Sequence, residues 1–310
     1  MEDLKGVEIV DPHVHYWSPA THSWLRGALN PESPAALRRF ASVAKDFWPE
    51  DHVAALAPLR LTHAVYIQAN FHNKDVLPVE ETAFVAGVGL GHRGGLPQAF
   101  VTYAPLHRPS EARRSLESSK RYDGFRGVRF MLDYHPTRPE LCQTDSGDYM
   151  ERADFLEGAK LVEDMDLVFE LQVCQCQLLA AAGFVAKLPK LRVVLNHAGF
   201  PLRGEKLEWQ KGMSALASRP NVYCKLGGFG CYDDPKWTQE EVSDYVHYAI
   251  QAFGVDRCMF ASNLPVDLID VTPLERYASF FRAVKEGKFD DEKARAKLFR
   301  ENAISFYRLF

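Results

Sequence analysis

Two histidines separated by one residue follow the first apolar segment of the chain. The segment is EIVDPHVHYW, and its histidines are His13 and His15. Successive side chains of a β-strand point to opposite faces, so both imidazoles could reach one cation or one substrate oxygen, with Asp11 on the same face. A His-x-His pair alone is weak evidence of a site. Its place at the end of a predicted strand strengthens the functional interpretation.

A third histidine follows another apolar segment. His197 lies in VVLNHAGFP, where a glycine two residues later allows the chain to turn. A single buried histidine is more often a satisfied core residue than a catalyst. Three imidazoles at two strand ends are harder to explain in this way, because burying them without partners costs stability. The three histidines are therefore candidates for metal binding or acid–base catalysis.

Eight short apolar segments must position these histidines. They are GVEIVDPHV, THAVYIQAN, QAFVTYAPL, FRGVRFML, LVFELQV, LRVVLNHAG, NVYCKLGG and RCMFASNLP. Segments that are apolar on both faces are typical of parallel strands covered by helices. Between them, apolar residues recur at helical spacing in PVEETAFVAGVGL, DFLEGAKLVEDMD, QCQLLAAAGFVAKLPK, EKLEWQKGMSALASR and QEEVSDYVHYAIQAFG.

This alternation predicts an α/β protein with the (β/α)8 TIM-barrel fold, formed by a single domain over residues 1–310. The alternative is an open doubly wound sheet, which would carry a glycine-rich turn after the first strand. DPHVH stands there instead. Two long connections, residues 17–53 and 133–153, follow the first and fourth strands. They are predicted to form walls of a substrate pocket, because active sites of barrels are built from such loops.

Other polar residues at predicted strand ends are candidates for substrate binding. They are Gln68, Arg129, Gln172 and Lys225. Arg129 is expected to point into the barrel mouth, since Arg126 lies on the opposite face and farther from the strand end. A guanidinium there would match a substrate carboxylate or the oxyanion of a lactone. The structural alternative for each arginine is a salt bridge to an outer helix.

The composition of the chain limits the classes of molecule that it is expected to bind. The formal net charge of −4 provides no basic field for nucleic acid. No apolar run approaches the roughly 18 residues that span a bilayer, and the N-terminus is acidic, unlike a signal peptide. Six cysteines are scattered through the chain, which predicts reduced thiols and a cytoplasmic protein. The expected partner is a small-molecule substrate, and a homo-oligomer is compatible with the sequence.

Five motifs, taken together, resemble a known family. They are DPHVHYW, FRGVRF, VVLNHAGFP, RCMFASNLPVD and RENAISFYRL. In this order they are similar to the amidohydrolase-related TIM-barrel hydrolases, in the branch that contains sugar lactonases and pyrone-dicarboxylate lactonase. The resemblance implies hydrolysis at the barrel mouth, with a divalent metal such as zinc or manganese in some members and none in others. It implies metal-ligand roles for His13 and His15 and a catalytic role for His197.

Two positions depart from that family. Its eighth strand usually ends in an aspartate that acts as general base, and this chain has Asn263. The amide of Asn263 cannot accept a proton near neutral pH, but its oxygen can orient a catalytic water or bind a metal. Asp267 could supply the carboxylate if the loop curls back, or it could pair with an arginine. Where many relatives have a fifth-strand histidine, the chain has Gln172. Cys174 on the same face could be a thiolate ligand or a buried structural residue.

The sequence therefore predicts a hydrolase for a small acidic or polyhydroxylated lactone. Arg129 would hold the substrate, while His197 or Asp267 helps water attack a carbonyl polarised by a cation on His13 and His15 or by the histidines alone. One alternative is a metal-dependent decarboxylase on the same scaffold. Another is a non-catalytic barrel that binds a small molecule, which Asn263 keeps open.

Overall fold

Eight parallel strands form the centre of the computed structural model, which describes residues 4–71, 78–92, 94–230 and 237–309. Each strand pairs with the next one in sequence. The strands are β1 (Glu8–Val14), β2 (Arg60–Ile67), β3 (Ala99–Thr102), β4 (Phe125–Met131), β5 (Val168–Gln172), β6 (Arg192–Leu195), β7 (Val222–Leu226) and β8 (Cys258–Phe260). Each lies within one of the eight predicted segments or overlaps it, so the predicted barrel is confirmed.

The barrel closes between its first and last strands. Beyond the end of β8, the Asn263 backbone N–H donates to the His13 carbonyl at 3.0 Å. The His15 backbone N–H donates to the Leu264 carbonyl at 2.8 Å. These two bonds place Asn263 beside the His-x-His pair, although some 250 residues separate them in the sequence.

Helices surround the strands. Within the described ranges they are α1 (Ser23–Ala28), α2 (Ala35–Arg38), α3 (Pro49–Leu56), α4 (Pro78–Gly91), α5 (Pro109–Ser119), α6 (Ala153–Asp164), α7 (Leu178–Val185), α8 (Lys206–Ala217), α9 (Gln239–Phe253), α10 (Pro273–Glu286), α11 (Glu292–Ala296) and α12 (Asn302–Tyr307). The five predicted amphipathic segments correspond to α4, α6, α7, α8 and α9. The sequence also carried a signal for α10, because Thr272 and Glu275 form a capping box at its start.

Apolar side chains form two layers, one outside the barrel strands and one inside them. The outer layer packs strands against helices. The inner one fills the barrel below its mouth with small and branched side chains, among them Val65, Val101 and Val194. Phe306 and Tyr307 of α12 belong to this inner layer, so the C-terminal helix closes the barrel at the end opposite the mouth.

Strand β1 does not alternate strictly, and one expectation is therefore wrong. Its pairing with β2 shifts register between Asp11 and Val14. Asp11 does not share a face with the two histidines. Its carboxylate instead lies 2.8 Å from Nε2 of His52 on α3 and accepts from the hydroxyl of Ser262, bracing β1 against its neighbours. The irregularity at Asp11–Pro12–His13 interrupts the alternation of side chains, so residues before and after it that would share a face in a regular strand point to different faces.

The described cysteines carry free thiols, as predicted: Cys142, Cys174, Cys176, Cys224 and Cys258. Cys231 lies outside the described residues. Burial raises the pKa of Cys174, which fits its structural alternative better than a thiolate ligand. In the described ranges, no helix has the length and apolar character required to cross a membrane.

Candidate active site

A pocket opens at the C-terminal ends of the strands. It is lined by His15, Trp17, Trp24, Arg39, Phe40, Ala69, Asn70, Arg129, Met131, Gln143, Gln172, His197, Phe200, Asn263 and Val266. Both long connections contribute to its walls as predicted, the first with Trp24, Arg39 and Phe40, and the second with Gln143. Several candidates from the sequence meet here: His15, Arg129, Gln172, His197 and Asn263. His13, Gln68, Lys225 and Asp267 lie behind this lining.

The three histidines form one cluster. The ring centroid of His13 lies 5.0 Å from that of His15 and 4.5 Å from that of His197. His15 Nδ1 lies 2.7 Å from the Ile67 carbonyl oxygen, so Nδ1 carries the proton in the neutral ring. Burial, with a contribution from Arg129, lowers the pKa of His15 to about 3. His15 is therefore neutral at physiological pH.

His197 is held in a turn with unusual backbone geometry. His197, Ala198 and Phe200 have φ angles of 53°, 50° and 48°, a left-handed conformation that costs energy for residues other than glycine. Trp209 stabilises the turn by donating its indole N–H to the Ala198 carbonyl at 2.7 Å. A Cβ on Gly228 would come within 2.5 Å of His197 Nδ1, so this ring nitrogen faces the Gly228 backbone. Burial is the main cause that lowers the pKa of His197, and the positive charge of Arg129 lowers it further.

Arg129 is fixed by two glutamines. Its Nε donates to Gln68 Oε1 at 3.2 Å, and its Nη1 donates to Gln172 Oε1 at 2.8 Å. Nη1 also lies 3.4 Å from His13 Nε2. The Gln172 amide is oriented in turn by Asp133, which accepts from Nε2 at 2.8 Å and was not predicted from the sequence. Burial raises the pKa of Asp133 to about 7.

Lys225 lies beneath His13 and does not line the pocket. It is fully buried, with Nζ 2.6 Å from Glu170 Oε2 and 3.4 Å from His13 Nδ1. The hydroxyl of Tyr307 donates to the other oxygen of Glu170. Burial lowers the pKa of Lys225 to about 8, while Glu170 opposes this shift. The ion pair thus connects the floor of the site to the C-terminal helix.

The loop after β8 brings Asn263 and Asp267 together. Asn263 lines the pocket with a left-handed φ of 54°, and its side chain hydrogen bonds with His15. Its Nδ2 donates to Asp267 Oδ1 at 2.8 Å. The other oxygen of Asp267 lies 3.4 Å from Arg276 Nε. The loop therefore curls back as expected, but the Asp267 carboxylate faces Asn263 and Arg276.

A divalent metal fits the described donors incompletely. No group of three His, Cys, Asp or Glu side chains within the described ranges is arranged to hold one ion. His15 hydrogen bonds with the Ile67 carbonyl and the Asn263 side chain, and His13 has Arg129 near one ring nitrogen and Lys225 near the other. Gln172 and Asn263 occupy the positions where charged or imidazole ligands would strengthen the set. The described side chains therefore do not make up a complete metal site by themselves.

Comparisons with known proteins relate the whole chain to one family. The profile of the family described as "Amidohydrolase" matches residues 10–309. An uncharacterized protein of Sinorhizobium fredii is 31% identical over 310 residues, covering 99% of this chain and 100% of the relative. An L-fucono-1,5-lactonase of Burkholderia ambifaria is 28% identical, covering 97% of this chain and 95% of the relative. A zinc-bound amidohydrolase structure from Burkholderia multivorans has a TM-score of 0.79 and 23% identity, covering 98% and 100% of the respective chains.

Proposed function

The chain belongs to the amidohydrolase family, and on this basis we propose that it hydrolyses a lactone at the barrel mouth. One observation carries the proposal. Two neutral imidazoles, His15 and His197, line the same pocket as the guanidinium of Arg129. A neutral imidazole can take a proton from water, and a fixed cation can stabilise the oxyanion that forms when water adds to a carbonyl.

His197 is the proposed general base. It lines the pocket, and its pKa is lowered by burial, so the ring remains unprotonated at neutral pH. The turn that holds His197 has a strained backbone, and such strain is found preferentially at functional sites. Asp267 also carries a carboxylate, but it lies behind Asn263. Asn263 then orients the attacking water through its amide oxygen.

The reaction balances with these groups. The water oxygen bonds to the lactone carbonyl carbon while one water proton passes to His197. The carbonyl oxygen becomes an oxyanion, which Arg129 stabilises. When the ring C–O bond breaks, the proton returns from His197 to the ring oxygen and leaves it as a hydroxyl group. The product is a hydroxycarboxylic acid, which ionises and releases one proton to the solvent at neutral pH.

Arg129 can act in this way because it cannot move freely. Gln68 and Gln172 hold two of its donors, and Asp133 fixes the Gln172 amide from behind. A guanidinium that is already oriented needs no reorganisation when charge develops on the substrate. Lys225 adds a second positive charge below His13, so it supports the site electrostatically and does not contact the substrate directly in this proposal.

The relative named as an L-fucono-1,5-lactonase supports ester hydrolysis over the alternatives. Metal-dependent decarboxylation is less well supported, because the described donors form an incomplete ligand set. The five free thiols support the further proposal of a cytoplasmic location.

A lactone panel tests the proposal. Acid release is followed with a pH indicator, and carbon dioxide is measured in parallel for carboxylated substrates. We expect acid release by the wild type and a loss of roughly 10²- to 10⁴-fold in kcat for His197→Asn. Carbon dioxide without lactone opening would favour decarboxylation. Ligand binding without any turnover would favour the non-catalytic barrel.

A further inference from the structure

We propose that the preferred lactone carries a carboxylate of its own and that Arg39 binds it. This inference rests on the proposed lactone hydrolysis and concerns the part of the substrate away from the reacting carbonyl. Arg39 would be a specificity-determining residue, separate from Arg129 in both position and task.

The charge of the pocket lining supports an anionic ligand. Two arginines, Arg39 and Arg129, belong to the lining, and none of the described lining residues is an aspartate or glutamate. A neutral sugar lactone presents several hydroxyl groups, each of which needs an acceptor as well as a donor. Guanidinium groups offer donors only and match carboxylates in a bidentate manner. The four amide side chains of the lining can meet hydroxyl groups, but two guanidinium groups without a carboxylate among the described lining residues give the pocket a positive charge, which favours a carboxylate-bearing ligand.

Arg39 is placed to act on the ligand. It begins a short 3₁₀ turn, Arg39–Val43, in the connection after β1, and its side chain is half-buried. Its guanidinium carbon lies 5.6 Å from the ring centroid of Phe40, another lining residue. Within the part of the chain that the structure describes, Arg39 forms no ion pair. A carboxylate brought by a substrate would satisfy this cation.

The two arginines can have different tasks because they are held differently. Arg129 lies at the strand ends, with donors directed to Gln68 and Gln172, beside the histidine cluster. Arg39 belongs to a wall that also contains Trp17 and Trp24, whose apolar faces can cover a small ring. The reacting carbonyl thus belongs at Arg129, and a distal carboxylate belongs at Arg39.

The neighbouring Arg38 provides a matched control. It has the same side chain one position earlier, is exposed, and donates its Nε to the Ser33 carbonyl at 2.9 Å. It does not belong to the pocket lining. A general effect of removing positive charge from this connection would therefore be shared by the two variants, whereas a specific contact would not.

The experiment compares pairs of lactones that differ only in one carboxylate, such as glucono-1,4-lactone and glucaro-1,4-lactone, across several sugar configurations. The wild type is expected to show a higher kcat/KM for the carboxylated member. Loss of a charge-assisted contact should lower kcat/KM for that member by roughly 10- to 100-fold in Arg39→Gln, mainly through KM, and much more than for its neutral partner. Arg38→Gln should leave kcat/KM unchanged for both substrates.

Binding of the corresponding open-chain mono- and dicarboxylates by calorimetry separates the two proposals. Carboxylate binding that depends on Arg39, without turnover of any lactone, would overturn lactone hydrolysis and retain this inference. Equal kcat/KM for the two members of each pair would overturn it, as would equal losses for both in Arg39→Gln. Absence of Arg39-dependent binding and turnover across the panel would also overturn it.

Discussion

The Asn263 amide nitrogen donates a hydrogen bond of 2.8 Å to Asp267 Oδ1. This bond decides the orientation of the amide, since Nδ2 must face Asp267 and Oδ1 is then directed away from that carboxylate. The Asp267 carboxylate therefore orients the Asn263 side chain. It would influence the attacking water only through Asn263. Asp267 is a positioning residue in this arrangement.

Replacing Asp267 by asparagine tests that role. We expect Asp267→Asn to lower kcat/KM by about 10-fold, because the amide loses its fixed orientation, and to leave the shape of the pH–rate profile unchanged. Removal of a general base would cost roughly 10²- to 10⁴-fold and would alter the acidic limb of the profile. That second outcome would make Asp267 the base. Asp270→Asn, in the same loop but outside the pocket lining, serves as the control.

Asn263→Asp should destabilise the protein. The substitution puts a second carboxylate against Asp267 in a buried site, replacing a donor with an acceptor, at a cost of about 2 kcal/mol. A shared proton would relieve the repulsion. The pair thus has a raised pKa in the folded state, and the loss should be larger at pH 8 than at pH 5. Urea unfolding at the two pH values measures this difference.

The exchanged pair provides the control for that variant. Asn263→Asp combined with Asp267→Asn again places one amide opposite one carboxylate, so most of the lost stability should return. If the single variant is as stable as the wild type at pH 8, the two side chains are not in contact.

His197→Asn separates catalysis from stability at the left-handed turn. Asparagine tolerates a positive φ better than alanine, so the backbone should survive the change. We expect kcat to fall by roughly 10²- to 10⁴-fold while Tm changes by only a few degrees. His135→Asn, half-buried in the loop after β4, is the control. A large fall in Tm with intact activity of the remaining folded protein would make His197 structural.

Chelation tests the incomplete donor set. Because the described residues offer no group of three metal-binding side chains, EDTA treatment followed by removal of the chelator should leave kcat unchanged within twofold. Elemental analysis before and after treatment shows whether zinc or manganese was present and removed. Loss of turnover that returns on addition of either ion would contradict this expectation.

The buried His15 should make stability depend on pH. Its pKa is about 3 in the folded protein and 6.5 for an ordinary exposed histidine, so between these values the unfolded chain binds a proton that the folded one excludes. Stability from this residue is therefore lost as pH falls below about 6.5, by on the order of 1 kcal/mol per pH unit. The raised pKa values of Glu81 and Asp133, both about 7, act in the opposite direction in this range.

The difference between variants isolates the contribution of His15. His15→Gln should lose less stability than the wild type when the pH is lowered from 7 to 5, as measured by urea unfolding. His135→Gln should follow the wild type. Parallel pH dependences for all three proteins would show that His15 does not have the lowered pKa.

Several features of the protein were determined by local sequence. Apolar runs identified all eight strands, and the ends of these runs placed His13, His15 and His197 at the barrel mouth. The same reasoning selected Arg129 over Arg126, which the structure confirms, since Arg126 donates to the Tyr307 carbonyl at the other end. Such predictions succeed because strand periodicity and turns depend on residues a few positions apart.

Only the tertiary structure decided which charges meet. Lys225 is buried because Glu170 and Tyr307 arrive from other parts of the chain, and Asp267 is withdrawn from water by Arg276. Arg39 lines the pocket because of the way the long connection after β1 folds. That connection has no regular spacing of apolar residues from which its conformation could be predicted. A strand pattern depends on near neighbours, whereas the protonation and partners of a buried charge depend on every group that is desolvated with it.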